Sequence, residues 1–142
     1  MTARRFRRVL VGWDGSADAI DALSAAASIA GGDGGHVVAL AVLTPAPSPE
    51  VAGEGVSARE AISRLADDQF GQARLTAPDG VRMSLRIVES EKIGRTVCGY
   101  ATEHGFDLLV IGRHGDGGVL HPRLGRVADA AVRGCAIPVL LM

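Results

Sequence analysis

Short apolar runs and stretches of helical periodicity alternate along this chain, and few folds accommodate that rhythm. Arg8-Val9-Leu10-Val11-Gly12-Trp13 reads as a first strand, rich in β-formers and almost continuously apolar. Such a strand belongs in a parallel sheet covered on both faces. It ends in Asp14-Gly15-Ser16, where Ser16 can cap a helix running from about Ala17 to Ala30. Ile20, Leu23 and Ala27 recur there at helical spacing, and Gly31-Gly32 marks the stop.

The second strand is His36 to Val42, followed by a proline-rich loop from Thr44 to about Gly55. Pro45, Pro47 and Pro49 argue against continuous helix in that loop. A long helix is predicted from about Ser57 to Ala77, with Ser57 and Glu60 spaced as a capping box. Ala61, Leu65, Ala66 and Phe70 fall on one broad face of it. Val81, Met83, Leu85 and Ile87 alternate with polar positions, which marks a half-buried, peripheral third strand. A helix from roughly Lys92 to His104, a strand from Asp107 to Ile111, a helix from about Gly125 to Arg133 and a strand from Ile137 to Leu141 complete the series. With right-handed crossovers the prediction is a five-stranded, doubly wound α/β sandwich.

At 142 residues the chain suits one domain over 1–142 with a real core. It is 47% hydrophobic but only 4% aromatic, so that core must come from Ala, Val, Leu and Ile. Fifteen basic and sixteen acidic residues leave a net charge of -1, which offers no footprint for nucleic acid or an anionic membrane. Only Arg4, Arg5, Arg7 and Arg8 cluster, read as a solvated arm and strand edge. No apolar run is long enough to span a bilayer, and Val9 to Trp13 is too short for a secretory core. Cys98 and Cys135 lack CxxC spacing and read as reduced structural thiols, so a cytoplasmic protein is expected.

Ligands of open parallel sheets bind beyond the carboxyl ends of the strands, where strand order reverses. Asp14 follows the first strand, Val42 closes the second and Gly112 leaves the fourth. If the first and fourth strands are neighbours, these residues converge. Asp14 can accept from a ribose or adenine edge, or it can simply form an Asx-turn with Gly15 and Ser16. Val42 supplies an apolar wall. Gly112 and Gly115 allow backbone N–H groups to approach phosphate, and Gly125 opens the following helix N-terminus. Arg126 can pair with a phosphate through its guanidinium or fill the pocket. His114, His121 and Asp116 lie in the same loop and read as part of an exposed lid rather than a metal or acid–base site. The dinucleotide GxGxxG, the GxxxxGK[ST] phosphate loop and the GxSxG elbow are all missing, which argues against dehydrogenase, P-loop and esterase chemistry.

Three segments together resemble the universal stress protein (UspA) family, across essentially the whole chain. They are Val9 to Ser16, Asp107 to Gly112 continuing through Gly112-x2-Gly115-x9-Gly125, and Cys135-Ala136-Ile137-Pro138-Val139-Leu140-Leu141. The resemblance implies a Rossmann-like three-layer sandwich, similar to the adenine nucleotide alpha hydrolases, with strand order 3-2-1-4-5. It also implies a cytoplasmic homodimer paired through the C-terminal strand, and a signalling partner protein. ATP-binding members use residues matching Asp14, Val42, Gly112, Gly115 and Gly125, with Mg or Mn accompanying the phosphates and weak hydrolysis at most. Their pattern continues with Ser or Thr where this chain carries Arg126. Two readings follow: an ATP-binding stress or signalling module, and a nucleotide-independent dimeric interaction protein whose cleft Arg126 has altered.

Overall fold

A computed structural model describes residues 6–31, 34–43, 49–113 and 126–142, by backbone alone over 49–57. The elements are β1 (Arg8–Gly12), α1 (Ala17–Ala30), β2 (His36–Leu43), α2 (Pro49–Arg74), β3 (Arg82–Glu89), α3 (Ile93–Glu103), β4 (Leu108–Ile111), α4 (Arg126–Gly134) and β5 (Val139–Leu141). All strand pairs are parallel, in the order β3-β2-β1-β4-β5. That is the sheet the alternating pattern and the family resemblance imply.

β1 is central because both its faces are apolar. Val9 and Val11 face α1 and α2 in a core with Val37, Ala39, Val110, Leu23 and Phe70. Leu10 faces α3 and α4 with Val38, Leu40, Leu109, Ile111 and Val97. Each fully buried Leu or Val contributes about 1.5–3 kcal/mol of hydrophobic stabilisation, before conformational entropy is set against it. Small side chains let helix backbones approach the sheet: Ala19, Ala22, Ala26, Ala27 and Ala30 of α1 are all buried. Ser16 caps α1 as expected, its Oγ accepting from the N–H of Ala19 at 3.2 Å. At the far end Gly31 takes φ 63°, and its N–H bonds to the carbonyl of Ala27.

α2 departs from expectation. It begins at Pro49, so Ser57 and Glu60 lie inside the helix and do not cap it. Proline breaks a helix only in its interior; at the first position its missing N–H has no intrahelical partner to lose. The buried stripe is also shifted, to Ala66, Gln69, Phe70 and Ala73, whereas Ala61 and Leu65 are exposed. β3 is an edge strand, as its alternation suggests, with Met83, Leu85 and Ile87 packed on the α1–α2 side.

The cysteines need a second correction. Cys98 of α3 and Cys135, just after α4, form a disulfide with their Cα atoms 5.1 Å apart. They are 37 residues apart in sequence, and the packing of α3 against α4 brings them together. The expectation of two reduced thiols rested on spacing, which carries no information about such through-space pairs.

Candidate functional site

Gly12 pairs with Leu40 of β2 on one side and Ile111 of β4 on the other. An N–H bond from Trp13 to the carbonyl of Leu40, 3.0 Å, carries the β1–β2 ladder one residue further. Asp14 follows Gly12 by two residues, Val42 follows Leu40 by two and Gly112 follows Ile111 by one. Asp14, Val42 and Gly112 therefore meet at one end of the sheet. That end lies where strand order reverses, because β1 leads into α1 on one face and β4 into α4 on the other.

Close packing fixes this end. A Cβ on Gly12 would lie 3.3 Å from Cγ1 of Ile111 and 3.7 Å from Cγ1 of Val97, so the strand passes directly beneath α3. Gly15 turns the chain with φ 80°, a conformation costly for residues with a side chain. Beyond β4, the N–H of Met142 bonds to the carbonyl of Ile111, and the N–H of Arg113 to that of Met142, both at 2.9 Å. These bonds hold the exit through Gly112, whose backbone is buried.

Asp14 is exposed, and its Oδ1 accepts from the N–H of Ser16 at 2.9 Å. The Asx-turn therefore forms, and Oδ2 has no hydrogen bond among the described residues. The turn holds the carboxylate rigidly at the strand end without using its second oxygen. Val42 is half-buried on the α3–α4 side, beside Val88. Arg126 is the first residue of α4 and is exposed. Gly115, Gly125, His114, Asp116 and His121 lie outside the described residues.

A family model for universal stress proteins matches residues 5–142. This chain belongs to the universal stress protein family. Solved family members share its architecture. UspA from Lactobacillus plantarum is 25% identical, with a TM-score of 0.78 over 99% of both chains. A member from Burkholderia pseudomallei is 27% identical, with a TM-score of 0.71 over 99% of this chain and 98% of that one. A universal stress protein in complex with cAMP has a TM-score of 0.69 over 98% of both chains; at 20% identity that likeness concerns the fold alone. No curated protein sequence matches the chain.

In this stress protein, sequence reasoning missed the residue that anchors the β1–α1 turn. Gln69 of α2 is 3% exposed; its Oε1 accepts from the indole Nε1–H of Trp13 at 2.7 Å, and its Nε2 donates to the carbonyl of Gly15 at 3.0 Å. Two signals could have found it. A buried tryptophan needs an acceptor, and a glutamine between Ala66 and Ala73 interrupts an otherwise apolar stripe. Among the described residues no helix is long and apolar enough to cross a membrane.

Proposed function

We propose that this universal stress protein binds an adenine nucleotide beyond the carboxyl ends of β1 and β4, and acts as a stress-response or signalling module rather than a strong catalyst. The observation that carries the reading is the convergence of Asp14, Val42 and Gly112 at the point where strand order reverses. Asp14 offers a carboxylate for ribose or adenine donors, Val42 an apolar wall, and Gly112, Gly115 and Gly125 the room for backbone N–H groups to approach phosphate. Arg126, exposed at the start of α4, supplies a guanidinium for the same anion, next to the positive end of the helix. The family member in complex with cAMP supports an adenine nucleotide as the ligand class.

A Mg or Mn ion would arrive on the phosphates. Among the described residues no group of three or more His, Cys, Asp or Glu side chains could hold one unaided. A cytoplasmic location and a homodimer paired through β5 belong to the same reading. β5 supports the dimer because it is an edge strand, at the opposite side of the sheet from β3, whose outer backbone groups can pair with a second copy.

Calorimetric titration of the purified protein with ATP and with cAMP tests the proposal. Saturable binding of either, weakened by Asp14→Ala, is expected; no binding at millimolar ATP or cAMP ends it. A second reading, a nucleotide-independent dimeric interaction protein, draws on Arg126 itself. If Arg126→Ser creates ATP affinity that the wild type lacks, the guanidinium excludes nucleotide and the second reading holds.

A further inference from the structure

The bond between Cys98 and Cys135 lies at the seam of α3 and α4, on the edge of the core those helices cover. Both cysteines are half-buried. Cys98 lines a groove of about 400 Å³ between α3 and α4, with Gly94, Arg95, Gly99, Ala130 and Gly134. Apart from their sequence neighbours and their own helix backbone, Gly99 and Gly134, next in sequence to Cys98 and Cys135, have no atoms within 4 Å of where a Cβ would stand. Cys98 thus borders a surface groove from which a small thiol reagent would approach its sulfur.

Among the described residues, α4 packs on α3 and the sheet through small side chains. Of its nine residues Ala128 and Ala131 are fully buried and Val127 partly so, and its ion pair from Arg133 to Asp129 stays within the helix. A helix this short is not stable without tertiary contacts, and two alanines supply little apolar area. The covalent tie to α3 adds to that packing of small side chains.

We infer that Cys98 and Cys135 are a reversible dithiol–disulfide couple that locks α4 onto α3 when oxidised and loosens it when reduced. A dithiol is the reductant. Its thiolate attacks Cys98 Sγ, forming a mixed disulfide as the Cys98–Cys135 bond breaks, and Cys135 leaves as a thiolate that takes a proton. The second thiol of the reductant then attacks its own bonded sulfur and expels Cys98, which is protonated in turn. The protein gains two electrons and two protons, and the dithiol becomes a disulfide. A disulfide oxidant runs the exchange backwards. This couple does not depend on nucleotide binding.

The test uses the full-length wild-type protein without denaturant. The oxidised form should show no titratable thiols and a mass lower by two hydrogens. Dithiothreitol should expose two thiols, and oxidised dithiothreitol should remove them again. Amide exchange in residues 126–134 should quicken at least several-fold on reduction, while β1 stays protected. A Cys98→Ser, Cys135→Ser protein should exchange like the reduced form and ignore dithiothreitol. Free thiols in the oxidised protein, a bond that resists dithiothreitol until the fold is denatured, or unchanged exchange in α4 would each overturn the inference; the wild-type comparison decides even if the double variant does not fold.

Discussion

Gln69 shows how one side chain can fix the turn that carries Asp14. It satisfies the indole of Trp13 and the carbonyl of Gly15, which bracket Asp14. Gln69→Leu would preserve bulk but leave both partners short of a hydrogen bond in a place water reaches poorly. We expect a loss of about 1–3 kcal/mol, read as a lower urea midpoint with little change in slope. His36 sets a pH dependence. Its Nε2 lies 2.8 Å from Ser84 Oγ, and burial, followed by Arg82, Arg8 and Arg86, lowers its pKa below the ordinary 6.5. As pH falls through that value the unfolded chain protonates before the folded one, so the unfolded state binds more protons and stability declines. The decline stops below the folded pKa. His36→Gln should flatten it, which urea midpoints from about pH 7 to pH 5 would show.

At the level of elements, the α3–α4 seam depends on glycine. A Cβ on Gly94 would come within 2.5 Å of the Cβ of Ala130, so the two helices touch almost backbone to backbone. Gly94→Ala should push them apart and cost about 1–3 kcal/mol in thermal or urea unfolding. The strands were legible in the sequence because each β-rich run has one job: β1 and β4 are buried on both faces, and β3 is a half-buried edge. The start of α2 was not legible, because a proline at the first helical position looks the same in sequence as a proline in a loop. Nor was the Cys98–Cys135 bond, since it follows from how α3 lies on α4. Of the site, Asp14, Val42 and Gly112 could be placed from their positions at strand ends. Gln69 was legible only as a polar break in the α2 stripe; that it partners Trp13 depends on which helix covers Trp13.

Across the whole molecule the two edges of the sheet differ. β3 runs eight residues, while β5 runs three and ends beside the chain terminus. Pro138 and Met142 turn their hydrogen-bonding groups toward β4, so by alternation Val139 and Leu141 present theirs outward. Leu141→Pro would remove an outward N–H and leave the inner ladder intact. If the proposed dimer pairs along β5, sedimentation should find the variant markedly more monomeric; a monomeric wild type would refute that pairing. The disulfide also acts at this scale, because it closes a ring 37 residues long in sequence separation. On the chain-entropy model that restriction of the unfolded state is worth about 4 kcal/mol, so dithiothreitol should shift the urea midpoint down by a corresponding amount. The ring encloses β4, Gly112 and all of α4. A tryptic nick at the exposed Arg113 would therefore release no fragment: the two pieces would travel as one species on a gel until reductant was added.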